Sequence, residues 1–306
     1  MAEFLPFLRT LAMMAAPLAI AGMAGLVSER SGVVNVALEG LMGAGAFAAA
    51  AVHYALEGPA GAASAWLALG AAMAFGMVFA LPHAAATVGL GANQVISGMG
   101  INLLSSGLTV FLCKALFGME RTPVFGLGLL PGLWGFYPTL WLALAVVALT
   151  WFWLYRLPSG LRLRACGEHP EAAESAGVPV RRVRCLAVLA SGALAGLAGG
   201  GMVLTHTIQF TRGTIGGAGF MALAAVSLGR WRPGGVGMAA SLFGLAVAAS
   251  VYAVNLDALR RLPPDFFSML PYAVSLLVLV ALPNTGSSPR AAGFAWPIRR
   301  GPGGSR

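Results

Sequence analysis

The chain has 306 residues, 58% of them hydrophobic and only 9% charged, with a mean hydropathy of +0.82. A soluble domain carries about 25% charged residues, so this composition excludes one and predicts an all-α polytopic membrane protein. The formal charge of +9 sits in connections and the C-terminal stretch, where it reports orientation in a membrane and not a nucleic-acid partner.

Nine apolar segments follow one another at 11–27, 33–53, 62–82, 94–117, 138–155, 185–204, 215–229, 235–254 and 266–283, which predicts about 8–10 transmembrane helices. The segment 215–229 is short enough to be re-entrant or broken. Alternation from a cytoplasmic 156–184 puts the N-terminus outside and the C-terminal tail inside. Thirteen of the nineteen Lys and Arg residues then face the cytoplasm.

Within 28–47, Asn35 and Glu39 are four residues apart in an apolar run, so a helix would place both on one face. A carboxylate there faces a bundle interior or a wet cavity. It is either a pathway residue or a buried acid hydrogen-bonded to a neighbouring helix, and Gly32, Gly40, Gly43 and Gly45 permit close packing or a helix break. The run 91–109 concentrates Asn93, Gln94, Ser97, Asn102, Ser105 and Ser106 in an apolar setting. These groups either meet a polar solute or hold helices together, typically at about 0.6 kcal/mol per pair. The stretch 118–137, with Trp134 and Tyr137 at its end, predicts an outer connection with interfacial anchors.

The polar island 156–184 carries six arginines and three glutamates between nearly uncharged spans. Pro170 suits a first helical position and Gly177 the left-handed residue after a helix end, which predicts a short helix between them. Pro179 forbids its continuation. Glu171 and Glu174 complement the helix dipole, and Ala172, Ala173 and Ala176 give a face with little bulk. That helix is either a solvated turn or a docking element.

Gly192, Gly196 and Gly200 recur every fourth residue and predict a helix-packing seam. The polar, glycine-rich 205–220 contains His206, Gln209 and Arg212 and reads as an outer loop leading into a re-entrant segment, with Gln209 a candidate solute contact. The stretch 228–235 turns the chain inside. Residues 284–306, rich in Gly, Pro, Ser and Arg, are expected to form a mobile cytoplasmic tail beyond a permease domain at 1–283.

The only lysine, Lys114, is followed by Ala115, so no phosphate-cradling P-loop can be written. Four histidines and three cysteines lack metal-ligand or disulfide spacing. No catalytic residue and no bound cofactor or metal is expected, and any nucleotide hydrolysis is expected on another polypeptide. A self-contained secondary transporter or channel for small polar solutes is the alternative, and a membrane scaffold a third reading.

The blocks ERSGVVNVALEG (29–40), GANQVISGMGINLL (91–104), GEHPEAAESAGVPVRRVRCLAVLASGALAGLAGG (167–200) and GFMALAAVSLGRWRPGG (219–235) resemble the permease subunits of bacterial ABC importers of the branched-chain amino acid and simple-sugar type, nearest the nucleoside-type permeases, purine nucleosides such as guanosine included. The likeness runs from about residue 7 to 282. It implies a type II importer-like permease fold in the bacterial cytoplasmic (inner) membrane. It also implies a separate ATP-binding subunit gripping a coupling helix over Glu168, Pro170, Glu171, Ala172, Ala173, Glu174, Ala176 and Gly177. An external substrate-binding lipoprotein and a second related permease, or a copy of this chain, complete the implied assembly. A broken second helix lining the path would map onto 33–53, and Asn35, Glu39, Asn93 and Asn102 are carried over as motif positions.

Overall fold

The computed structural model describes residues 4–126, 128–130, 132–253, 267, 269–281 and 288–296. Arg260, Arg261, the ends of the predicted span 266–283 and the tail beyond 296 lie outside the described residues.

Long Ala-, Leu- and Gly-rich runs satisfy their own backbone groups as helices, the form a chain without strand partners takes in hydrocarbon. The main rods are α1 (Phe4–Arg30), α2 (Leu38–Ala60), α3 (Ala63–Gly89), α4 (Gln94–Phe117) and α5 (Pro138–Arg156). Two short helices, α6 (Pro158–Glu168) and α7 (Pro170–Ser175), lead into α8 (Val180–Thr207). The chain ends through α9 (Ala218–Leu228), α10 (Pro233–Ala253) and α11 (Leu270–Ala281). Six of these, α1, α3, α4, α5, α8 and α10, are long and apolar enough to cross a membrane. At 1.5 Å per residue the 11-residue α9 reaches only about 16 Å, half a bilayer core, as its short apolar run predicts.

Burial separates an inner layer from an outer one. The apolar windows of α1 and α8 are 72% buried, whereas those of α4 and α5 are 22% buried and turn apolar side chains outward. The inner helices approach to backbone contact. A Cβ on Gly45 would lie 2.3 Å from the Cα of Gly196, one on Gly192 2.5 Å from the Gly76 carbonyl oxygen, and one on Gly199 2.0 Å from that of Met42. The small-residue repeat of α8 is thus the seam against α2 and α3.

The two ends of the bundle differ as the charge pattern predicts. At one end the foot of α1, the α3–α4 connection, α6, α7 and the α9–α10 turn meet. Arg30 reaches Glu168 and the Trp231 carbonyl, and Arg181 donates to the Gly89 carbonyl at 3.1 Å. At the other end the 118–132 connection is laced to the end of α8 by Thr122 N–H to Phe210 (3.1 Å), Phe125 N–H to Ile208 (3.2 Å) and Leu129 N–H to Leu204 (2.8 Å). The chain is therefore an all-α, multi-pass membrane protein.

The mobility expected of the tail does not describe residues 288–296, which pack on the polar island 156–184. Ala291 N–H donates to the Gly167 carbonyl at 2.8 Å, Arg184 Nη1 donates to the Phe294 carbonyl at 3.0 Å, and Trp296 packs on a cluster of Cys166, Ala173 and Val180. Aromatic and apolar area buried there offsets the ordering that a Gly/Pro-rich composition resists.

Candidate functional site: a broken helix and a clamped cytoplasmic helix

Two places gather polar groups that the fold does not otherwise require. The first is a gap in the inner layer. The chain leaves α1 at Arg30 and does not re-enter a helix until Leu38; the N–H groups of Ser31, Gly32 and Val33 close back on α1 carbonyls, and from Val34 onward the backbone has left the helix. Neighbouring side chains supply the missing partners. Gln94 Oε1 accepts Val34 N–H at 2.6 Å, Asn102 Nδ2 donates to the Val36 carbonyl at 2.9 Å, and Asn102 Oδ1 accepts Gly40 N–H at 2.8 Å. Ser105 donates to the Gly40 carbonyl at 2.6 Å and Ser28 to that of Val33 at 2.7 Å. Asn35, fully buried, donates to Ser191 Oγ at 2.8 Å and accepts Ala37 N–H at 3.1 Å. A break at this depth persists only because protein groups replace water at each carbonyl and amide.

This corrects the reading of Asn35 and Glu39 as one helical face. Asn35 lies in the extended break and Glu39 in the first turn of α2, because cross-helix hydrogen bonds from α4 and α8 outweigh the local periodicity. The Glu39 carboxylate faces the start of α9, where Oε1 accepts Gly217 N–H at 2.8 Å and Oε2 accepts Gly219 N–H at 2.7 Å. A negative group at a helix N-terminus satisfies amides that have no partner inside the helix. Glu39 thereby joins two interrupted elements, the 31–37 break and the half-length α9. A cavity of about 420 Å³ opens beside the loop that Glu39 holds, with His206, Thr214, Gly216, Ser250 and Tyr272 in a largely methionine-rich wall.

The remaining sequence candidates lie apart. Asn93 is exposed and caps α4, its Oδ1 accepting Val95 N–H at 3.0 Å and Ile96 N–H at 3.1 Å. Gln209 sits in the outer loop, its carbonyl accepting the Thr207 hydroxyl at 2.8 Å, while its Oε1 is buried without a partner. Gln94, Ser105 and Ser191 serve the break and were not among the candidates. Only the clustering of amides and hydroxyls in 91–109 pointed towards the first two.

The second place is the polar island 156–184. It folds as two helices where one was expected, each opened by a proline at its first position. His169, with φ −142° and ψ 79°, breaks them apart, so Glu168 closes α6 and lies outside the helix that opens at Pro170. α7 spans Pro170–Ser175, with Glu171 and Glu174 on it and Ala176 capping it. Gly177 follows at φ +82°, the left-handed turn its position predicts, and Val178 N–H closes back on the Ala173 carbonyl at 3.0 Å. The expected alanine face is split. Ala173 is 5% exposed and packs inward on Cys166, Val180 and Trp296, whereas Glu171, Ala172, Ser175 and Ala176 are exposed.

The island is fixed to the bundle at α1. A Cβ on Gly167 would stand 2.3 Å from the Arg30 carbonyl oxygen, so α6 touches the end of α1 backbone to backbone. Arg30 Nη1 lies 3.5 Å from Glu168 Oε1, and Arg30 Nε donates to the Trp231 carbonyl at 2.8 Å. Glu29 Oε2 accepts the Trp231 indole N–H at 2.5 Å. Cys166, beneath this joint, is fully buried and burial raises its thiol above the ordinary range.

A polar interruption inside the bundle joined to an exposed short helix at its end is an arrangement suited to transmitting movement into a pathway. The chain is 40% identical over 297 residues to the guanosine ABC transporter permease protein NupQ of Bacillus subtilis, covering 92% of this chain and 93% of that one. It is 33% identical over 301 residues to the nucleoside ABC transporter permease protein NupC of Lactococcus lactis subsp. cremoris, covering 90% and 92%. To the putative glucose ABC transporter permease protein TsgC13 of Haloferax volcanii it is 37% identical over 253 residues, covering 78% and 75%. The family described as branched-chain amino acid transport system, permease component, matches residues 7–279, and the chain belongs to it.

Proposed function

We propose that the chain is the membrane-spanning subunit of an importer in the bacterial cytoplasmic membrane, moving nucleosides inward at the expense of ATP hydrolysed on a separate subunit. Full-length likeness to permeases named for guanosine and for nucleosides supports the solute class, and the glucose-named relative makes simple sugars the second candidate. The observation that carries the mechanism is the exposed edge of α7, Ala172 and Ala176 with Glu171, on an island tied to α1 through Glu168 and Arg30. An ATP-binding subunit seated on that edge moves α6 and α7 together. Arg30 and Glu29 then carry the displacement to Trp231 and so to the foot of α9. The head of α9 is held by Glu39, so the movement arrives at the mid-depth break. Candidate pathway groups there are Glu39, Asn35 and Asn102. A second related permease or a copy of this chain completes the pathway, and an external binding protein delivers the solute to the 118–132 and 208–214 surface. No cofactor of this chain enters the cycle.

The test is guanosine uptake into vesicles containing the permease with its ATP-binding subunit. Ala172→Arg and Ala176→Arg leave the chain in the membrane and abolish ATP-dependent uptake. ATP-driven uptake by both variants overturns the coupling role, and guanosine movement by the isolated chain under an ion gradient supports a secondary transporter instead.

A further inference from the structure

At the cytoplasmic boundary an open groove of about 780 Å³ lies between the ends of α1 and α5 and the start of α10. Arg30 and Arg232 line it, with Trp151 and Tyr155 from α5 and Met238 from α10. Its floor is open at Gly234, where an added Cβ would meet nothing within 4 Å. Two more guanidinium groups flank the aromatic wall, Arg164 4.9 Å from the Tyr155 ring centroid and Arg156 5.7 Å from that of Trp151. Arg164 and Arg232 both act on Arg30 as like charges.

The carboxylates facing this cluster do not balance it. Glu168 lies 3.5 Å from Arg30, and the Oε2 of Glu29 is taken by the Trp231 indole. Arg164 Nε is buried without a partner. Two cations lining the groove and two more flanking its aromatic wall therefore call for an anion from outside the chain. The walls say where it comes from. Trp151 is 45% exposed and Met238 73%, and Leu242, one turn further along α10, is 37% exposed, so the groove opens sideways onto an apolar surface. Aromatic and basic side chains at this level match the headgroup layer of the cytoplasmic leaflet.

We propose that this groove binds the headgroup of an anionic phospholipid, its phosphate between Arg30 and Arg232 and its glycerol and acyl chains running along Trp151 and Met238. The site needs only the membrane topology, so its failure leaves the transport reading untouched. A headgroup here would share Arg30 with Glu168 and so sit directly on the joint between island and bundle.

The experiment is native mass spectrometry of the delipidated full-length chain, titrated in parallel with phosphatidylglycerol, phosphatidylcholine and inorganic phosphate. Phosphatidylglycerol is retained and phosphatidylcholine is not, and millimolar phosphate does not displace the lipid. Arg232→Gln weakens phosphatidylglycerol retention about fivefold, the effect of about 1 kcal/mol for one basic residue at a membrane surface. Arg232→Lys restores it, and Arg121→Gln, at the opposite end, leaves it unchanged. Gly234→Leu, whose Cβ meets no neighbour within 4 Å and whose side chain occupies the open floor, lowers retention independently of charge. Equal retention of phosphatidylcholine, unchanged retention in both Arg232→Gln and Gly234→Leu, or displacement by phosphate alone overturns the assignment, the last by making the site one for a free anion.

Discussion

The Glu29 carboxylate, 7% exposed at the foot of α1, accepts the indole N–H of Trp231 at 2.5 Å, while the next residue, Arg30, holds the Trp231 backbone carbonyl at 2.8 Å. Two consecutive residues of one helix thus fix both the side chain and the backbone of a single residue in the α9–α10 turn. Trp231 and Arg230 have φ of +52° and +53°, a left-handed conformation that costs a non-glycine residue about 1–2 kcal/mol. The grip of α1 offsets that cost.

Trp231→Phe keeps the ring and removes the donor, leaving a buried carboxylate short of a partner at a cost of about 1.5–3 kcal/mol. Uptake per ATP hydrolysed should fall about tenfold or more, since 1.4 kcal/mol is a factor of ten. Membrane levels of the variant should stay normal. Parallel measurement of uptake and ATP hydrolysis checks this; an unchanged ratio means the turn is not in the force path.

Glu39 is expected to be needed first for structure. Glu39→Leu leaves the Gly217 and Gly219 amides unpaired, about 1–3 kcal/mol for each buried group. Glu39→Gln keeps one acceptor oxygen. Thermal unfolding of the purified chain should therefore rank the native protein above Glu39→Gln and Glu39→Leu last, whereas equal midpoints would show that these amides find other partners.

The glycine seam gives a contrast within one residue type. Gly196→Ala places a methyl group 2.2 Å from the Ala72 carbonyl oxygen, where only separation of α8 from α3 makes room. Overpacking of this kind costs about 1–3 kcal/mol. Gly107, with nothing within 4 Å, should gain about 1 kcal/mol on substitution by alanine through helix propensity. Unfolding midpoints moving the same way in both would refute the seam.

Thiol labelling reports which face of α7 is free. In a chain with Cys185 replaced by serine, Cys166 stays unreactive at neutral pH, because it is fully buried and burial raises its pKa, keeping it protonated. An Ala172→Cys thiol should then react with an impermeant maleimide applied from the cytoplasmic side and be protected by the ATP-binding subunit. Ala173→Cys should stay dark in both conditions, and rapid labelling there would place the inward face elsewhere.

The hydrogen bonds of the break bear separately on Asn102, which pairs the Val36 carbonyl and the Gly40 amide across 62 and 66 residues of sequence. Asn102→Leu loses both and should reduce stability by about 2–4 kcal/mol, two unsatisfied groups at the lower half of the usual range. Asn102→Asp, which keeps the acceptor for Gly40 N–H, should lose less. Denaturation of the two variants in the same detergent decides it.

What the chain alone determined follows from composition and punctuation. Apolar length marked the spans, and Pro170 and Gly177 bounded α7 because each has one backbone conformation it serves best. The resemblance carried by residues 29–40 and 167–200 implied a coupling role for α7, which local physics left open as a solvated turn. What the tertiary structure alone decided was partnership. Periodicity put Asn35 and Glu39 on one helix, but Asn102, Gln94 and Ser105 offered the backbone better partners from elsewhere, Ser191 took the Asn35 side chain, and the helix starts at Leu38. Ala173 and Ala172 are alike in sequence, yet Trp296, more than a hundred residues away, covers one and not the other. Helix ends are written in neighbouring residues, whereas the satisfaction of a buried polar group depends on what the fold brings beside it.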